Sequence, residues 1–377
     1  MQMQGQWIGN IDGEYKGTLR VELEKRGDRI SGNAYLFYDQ SHQLPGFRFP
    51  LSFNAVAPFV TETQTIYLFT DGGVMSQEDR NRIEAVLVRR FDKLPIPAKL
   101  NVEFVNEGAD LIVKWWSDEY EPETLTLTHS DIKATSDLVA RPDLTTWDQF
   151  RQWAVSQRPR NYIFRGQSQP HKLATTFHRT WRKDLNTWIV DDVRMLFGVT
   201  IERLSFPLQL GNMEHNAAFW NILQHHGYPT PLLDWTLSPF VAAYFAFCNI
   251  KPNDTRAPRI YIFDASAWNE KYGKLAFFAD VAPPQLIVLE SMPAGNPRAV
   301  PQQSVSTVSN IADIEAFIRH KEQEDDRTYL TICDLAADEA PKIMRELELM
   351  GITYGSVFPG LDGVCRDMKD RLFTEQV

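Results

Sequence analysis

Three stretches of this chain carry residue types suited to chemistry. In Tyr162-Ile163-Phe164-Arg165-Gly166-Gln167, Tyr162 and Phe164 predict a strand that ends in Arg165. Gly166 then permits a tight turn or the close approach of a ligand. A guanidinium at a strand end beside glycine suits a bidentate grip on phosphate. Pairing with an internal carboxylate to fix the fold is an equal alternative. The second stretch runs from Gln224 to Pro239. His225 and His226 close a helix, whose negative pole favours imidazolium. The rigid turn Pro229-Thr230-Pro231 follows. Asp234, Thr236 and Ser238 then alternate with Leu233, Trp235 and Leu237. In a strand the three polar residues would share one face, offering a carboxylate and two hydroxyls to a ligand. Taken singly, Ser238 is expected to cap the next helix, and Asp234 to anchor a His or Arg. The third stretch, Asn296 to Ser304, reads as a loop with little chemistry of its own.

The elements that must position these residues fall into two halves of different period. Residues 1–130 alternate polar and apolar side chains in short runs: Trp7–Asp12, Thr18–Lys25, Arg29–Tyr38, Leu51–Ala55, Thr65–Phe69, Ile83–Arg89, Lys99–Phe104, Leu111–Trp116 and Thr124–Thr128. Turn signals separate them, at Asp12-Gly13, Arg26-Gly27-Asp28, Asp71-Gly72-Gly73 and Asn106-Glu107-Gly108. This spacing predicts an all-β antiparallel barrel or sandwich. Gly5-x-Trp7 before paired strands resembles the opening of a lipocalin- or avidin-type barrel. A packed core is expected inside it, since small barrels fill with side chains. The period changes after Ser130. Residues 131–144 hold Pro142 and few apolar groups and read as the linker. A capped helix starts near Thr146, with Phe150, Trp153 and Ala154 on one face. Asn212–His226 is a helix stopped by Gly227, and Ser238-Pro239 opens another over Phe240–Cys248. Arg259–Phe263 and Leu286–Leu289 are strands, and Glu339–Met350 is a helix closed by Gly351. The charged run Glu322–Arg327 reads as a solvated face.

Composition narrows the function. The 377 residues are 43% hydrophobic and 23% charged, which suits a globular chain of two domains. The formal charge of −10 argues against general binding of nucleic-acid backbones and leaves room for one local basic pocket. Cys248, Cys333 and Cys365 are odd in number and far apart, which predicts free thiols in a reducing compartment. With no signal-like N-terminus and no apolar run of about 18 residues, a cytoplasmic protein with no membrane span is expected. Adjacent His225 and His226 with Asp234 would supply metal ligands, but no third well-placed ligand is readable, so no metal is expected.

The motifs resemble the FRG domain, a bacterial family named for its Phe-Arg-Gly triplet. Phe164–Gln167, Gln224–Thr236 and Tyr244-Phe245-Ala246 follow its pattern. Arg298 and Gln302 are similar to later Arg and Gln positions, and Gly351-Ile352 with Phe358–Gly363 looks like its closing segment. The resemblance covers residues 140–375 and says nothing of residues 1–130, which would be a sensing or targeting domain. Pro231 stands where the family often has Arg, so one basic contact is in doubt. The motif order is similar to that of ADP-ribosyltransferases, which carry an early Arg or His, a Ser-Thr-Ser-like strand before a helix, and a late Glu. This implies an α+β, ADP-ribosyltransferase-like domain with NAD as substrate. Arg165, Gly166, Gln167, His225, Thr236 and Ser238 would contact NAD, and Arg165, His226, Asp234 and Gln302 would form the catalytic set. Gln302 carries no charge, so Asp234 would serve as the carboxylate, or the site works differently or is inactive. A bacterial toxin or anti-phage effector acting on a protein target suits this arrangement. Two other classes stay open: a module that holds a small anionic ligand such as a nucleotide without reacting, and a hydrolase with His225 or His226 as base and Asp234 as its orienter.

Overall fold

The computed structural model describes residues 3–12, 16–38, 46–65, 67–70, 73–74, 81, 85, 99–118, 121–204, 206–210, 212–251, 254–273, 283–290 and 295–373. The chain divides into two compact units. The first holds Met1–Asp131, Phe177–Thr200 and Ala276–Gln285, and the second holds Ile132–Thr176, Ile201–Leu275 and Leu286–Val377.

The first unit is built on one antiparallel sheet. Its strands are β1 (Gly5–Ile11), β2 (Gly17–Arg26), β3 (Arg29–Tyr38), β4 (Gly46–Asn54), β5 (Phe59–Thr65), β6 (Tyr67–Thr70), β7 (Gly73–Val74), β8 (Lys99–Glu107), β9 (Asp110–Trp116) and β10 (Glu123–His129). Their order is β5-β8-β9-β10-β1-β2-β3-β4-β6-β7. Two-residue turns set the register of two hairpins. Gly27, between Arg26 and Arg29, has φ 62°, and Gly108, between Glu107 and Asp110, has φ 66°. A positive φ at the first central position matches the twist of the flanking strands, and glycine adopts it without a Cβ penalty. Period-two alternation puts Trp7, Leu19, Val21, Leu23, Phe49, Leu51, Val113 and Leu127 into one core. Phe53 of β4 packs on Phe59 of β5 and on Phe104 of β8, so the two ends of the sheet approach and the barrel is nearly closed. Its interior is filled by these side chains. The sheet has ten strands among the described residues, two more than lipocalin or avidin barrels.

The opposite face of β2 and β3 departs from simple alternation. Arg20, Glu22, Glu24, Asn33 and Tyr35 point away from the core and are nevertheless buried. Residues 177–200 cover them. The Glu24 carboxylate accepts from Arg182 Nε at 3.2 Å and from the Lys183 and Asp184 amides at 2.6 and 2.8 Å. Asn33 Nδ2 donates to Asp184 at 2.9 Å, and Asp184 in turn caps the turn Leu185–Thr187. Nothing in the alternation of β2 announces a cover from so far along the chain. Two expected strands also differ. The run Thr65–Phe69 is divided between β5 and β6, which lie toward opposite ends of the sheet order. Ile83–Arg89 lies outside the described residues except Ala85, which is helical.

The second unit is α+β. Its helices are α1 (Trp147–Ser156), α2 (Met213–His225), α3 (Pro239–Phe247), α4 (Ala265–Tyr272), α5 (Ile314–Asp325), α6 (Ala340–Leu349) and α7 (Leu361–Phe373). Its strands are β11 (Tyr162–Gln167), β12 (Leu232–Thr236), β13 (Arg259–Asp264), β14 (Leu286–Leu289), β15 (Ser304–Ser309) and β16 (Leu330–Asp334), all antiparallel, in the order β14-β15-β12-β11-β13-β16. Side chains of α1, α3 and α6 pack with Phe164, Ile260 and Ile262 on one face. Those of α4 and α5 pack with Ile163, Leu233, Trp235 and Phe263 on the other. The sequence signals for helix ends recur in the structure. Thr146 and Gln149 form a capping box on α1, Asn212 caps α2, and Gly227 follows its end at φ 84°.

The run Glu322–Arg327 is not merely a solvated face. Glu322 accepts from the Tyr329 and Leu330 amides at 2.6 and 2.8 Å, and the buried Asp325 carboxylate takes the Tyr272 and Tyr329 hydroxyls at 2.7 Å each. The end of α5 therefore anchors the start of β16. Among the described residues no helix is long and apolar enough to cross a membrane.

Candidate functional site

β11 and β12 are central neighbours in the second sheet, yet they pair at a single position, Phe164 with Thr236. Beyond it, toward Gln167 and Leu232, the ladder stops among the described residues. Arg165 lies at that point and its Nη1 donates to the Asp234 carbonyl oxygen. On the far side of β12, Asp234 is cross-strand partner to Ser306 of β15, and Thr236 to Ser304. The helix α2 reaches this strand from above its face: Gln224 Nε2 donates to Asp234 Oδ1. The orientation of that amide is imposed, because the Thr230 hydroxyl donates to Gln224 Oε1. Thr230 is held through its own backbone, its amide donating to Thr176 Oγ1 at 3.0 Å and its carbonyl accepting from the same hydroxyl at 3.1 Å.

The electrostatics single out Asp234. It is exposed at the surface, yet enclosure by the surrounding protein pushes its carboxyl above the ordinary aspartate value. Arg165 and the Gln224 hydrogen bond act in the opposite sense and do not cancel that effect. His225 is half-buried, and burial, Arg298 and His226 together hold its imidazole below the usual value. Its ring meets that of His226 edge-on at 5.1 Å. Arg298 lies on a loop tied to α2 by Asn296 Nδ2 and Asn221 Oδ1 at 2.7 Å, and its guanidinium sits 5.0 Å over the Phe358 ring.

The residues singled out by sequence divide into two groups. Arg165, Asp234, Thr236 and Gln302 are brought together: Thr236 Oγ1 donates to the Gln302 carbonyl at 2.6 Å, one residue pair from the Arg165–Asp234 contact. Gln167 is half-buried, and its Nε2 is enclosed by protein with no hydrogen-bond partner among the described residues. Others are occupied by the fold. Gly166 packs closely against α3. A Cβ there would stand 1.8 Å from the Ala242 carbonyl oxygen, so the glycine exists to let α3 lie against β11. β11 also runs through Arg165 to Gln167 instead of ending at Arg165. Ser238 is buried and caps α3 through the Val241 amide at 3.2 Å, while the buried Thr236 hydroxyl accepts from the Ser238 amide at 3.0 Å. The Gln302 side chain donates to the Val357 carbonyl at 3.1 Å and ties its turn to the helical turn Tyr354–Val357. His226 is the exposed cap residue after α2. Among the described residues neither His225 nor His226 bonds Asp234; Gln224 takes that place, so the His–Asp pair a hydrolase needs does not form here.

Sequence reasoning passed over Gln224, Thr230 and Ser306. Gln224 and Thr230 stood inside the quoted motif, and their alternation of amide and hydroxyl was a usable signal. Ser306 became visible only when β15 paired with β12.

Residues 160–255 match the family model described as FRG domain. The match spans β11, α2, β12 and α3 and so contains Arg165, Gln224, Thr230 and Asp234. No curated protein and no solved structure matches the chain.

Proposed function

We propose that the Arg165–Asp234 cluster binds a small anionic ligand of nucleotide chemistry, and that NAD is its substrate in an ADP-ribosyltransferase-like reaction. One observation carries the reading: a solvent-open carboxylate, Asp234, is fixed by Gln224 with a guanidinium beside it. Arg165 would pair with a phosphate of the ligand. The C1′–nitrogen bond of the nicotinamide ribose breaks with its electron pair leaving on nicotinamide. Positive charge then develops on the sugar, and the Asp234 carboxylate, fixed in advance by Gln224, stabilises it. An acceptor oxygen, from a protein target or water, adds to C1′ and its proton passes to Asp234. The family resemblance supports this assignment at the level of motif order. In the effector role proposed, the first unit senses or targets; its filled interior favours recognition by the outer surface.

The test is incubation of the purified chain with NAD and a cell lysate, with nicotinamide release and protein-bound ADP-ribose measured by mass. Asp234→Asn is expected to abolish release and to keep NAD binding. Arg165→Lys retains the charge and loses the fork, and is expected to weaken binding roughly tenfold or more. Absence of both release and binding in the unsubstituted chain overturns the proposal. Binding without release supports the second reading, a ligand-holding module. That reading is favoured by Gln302, whose amide is spent on Val357, where a second acidic group would otherwise assist.

A further inference from the structure

We infer that Ser306 is a positioning residue for the Asp234 carboxyl, donating its hydroxyl to Oδ2 when that carboxyl is ionised. The inference rests on the geometry of Asp234 alone and does not depend on NAD being the ligand. Three observations converge. Ser306 is 2% exposed, and its Oγ has no hydrogen-bond partner among the described residues. It stands directly across from Asp234 in the β12–β15 ladder, so the two side chains share one face of the sheet. Directly opposed residues place their Cβ atoms about 4.5–5.5 Å apart, which a serine hydroxyl and an aspartate oxygen together can bridge. Of the two Asp234 oxygens, Oδ1 already receives Gln224, while Oδ2 has no partner among the described residues.

A buried hydroxyl left unmatched costs roughly 1–3 kcal/mol, and a bond to Asp234 Oδ2 would offset that cost. The carboxyl would then be gripped from two elements, Oδ1 from α2 and Oδ2 from β15. Its plane would be set before any ligand arrives. The charged group that acts on it is Arg165 from β11. Ser306 differs from it in acting on Asp234 without charge. The neighbouring hydroxyl of Thr236 is no substitute, because it donates to the Gln302 carbonyl.

The experiment is titration of the Asp234 side-chain carboxyl by carbon NMR in the full chain, with the signal assigned by its loss in Asp234→Asn. Ser306→Ala removes a donor to the ionised form, so Asp234 is expected to bind its proton about tenfold more tightly, one pKa unit higher. Ser306→Thr restores a hydroxyl and is expected to return the titration toward that of the parent. A merely structural serine would leave the Asp234 midpoint where it was, and that result overturns the inference. If Ser306→Ala fails to fold, Ser306→Cys, a weak donor of similar size, carries the comparison, and an unmoved midpoint there is equally fatal. The outcome is separate from turnover. A chain that never releases nicotinamide still reports the Asp234 midpoint, so failure of the NAD reading and failure of this one are distinguishable.

Discussion

At the scale of the residue, Asp234 is held between opposing influences. Enclosure favours its neutral form, while Arg165 and Gln224 favour its charged form, and enclosure prevails. The sign of the pH dependence follows. A carboxylate that must be ionised to stabilise a cationic sugar works only above its own pKa, which here lies above the ordinary 3.8. Nicotinamide release is therefore expected to rise with pH through that raised value and to level off above it. Stability runs the other way. The folded chain prefers the protonated form, so the carboxyl's contribution is full below 3.8 and declines as pH rises through the folded value. Asp234→Asn should consequently lose turnover while melting at or above the parent temperature at neutral pH. A variant that lost both together would mean that Asp234 holds the sheet and does not serve the chemistry. The residue types at this site were legible in the sequence, and so was the company Asp234 keeps with Thr236. Its partner was not: alternation predicts a face, and only packing of α2 decides that an amide and not an imidazole meets the carboxylate.

At the scale of the element, two contacts set how helices and strands approach. The first is β11 against α3. Gly166 lies where any side chain would overlap the Ala242 carbonyl and the Ala246 amide nitrogen, at 1.8 and 2.7 Å. Gly166→Ala is expected to destabilise the second unit by about 1–3 kcal/mol or more through overpacking, read as a drop in the urea midpoint. A variant as stable as the parent that binds NAD less well would return Gly166 to the ligand side. The second contact is the Phe177–Thr200 cover on β2 and β3. Glu22 is fully buried there. Burial pushes its carboxyl up to about 7, against the partial compensation of Arg20. The folded state thus favours protonated Glu22, and stability is full below the ordinary 4.5 and declines as pH rises toward 7. Glu22→Gln mimics the protonated form. It is expected to flatten that decline, a difference on the order of 3 kcal/mol at pH 8, in melts of the first unit. An unchanged pH profile would show that Glu22 stays charged in the fold. Helix ends and hairpin turns were legible beforehand, because caps and positive-φ glycines act through neighbours in sequence. The cover was not, because Glu24 and Asp184 are joined only by tertiary approach.

At the scale of the whole molecule, the first unit is not a simple N-terminal piece. Its sheet comes from the first 131 residues, but the layer over Arg20, Glu22 and Tyr35 comes from Phe177–Thr200. A chain ending at Asp131 would leave that polar layer bare. Such a chain is expected to lose its cooperative thermal transition, while one carrying residues 177–200 on a flexible tether regains it. A sharp transition at the parent temperature without the cover would show that the sheet stands alone.

The amino-acid sequence by itself determined the two periods, the β-rich first half, the α+β second half and the motif that matches the FRG family at residues 160–255. These are local or periodic properties, set by side-chain alternation, capping and turn chemistry between near neighbours. Tertiary structure alone decided which polar residues serve the fold and which remain open to a ligand. Gly166, Ser238 and the Gln302 amide were claimed by α3 and the Tyr354–Val357 turn. Asp234 was left facing outward, and Ser306 was set opposite the carboxylate. The physical reason is that a hydrogen bond belongs to whichever partner the packing brings within reach, and that partner can lie anywhere along the chain.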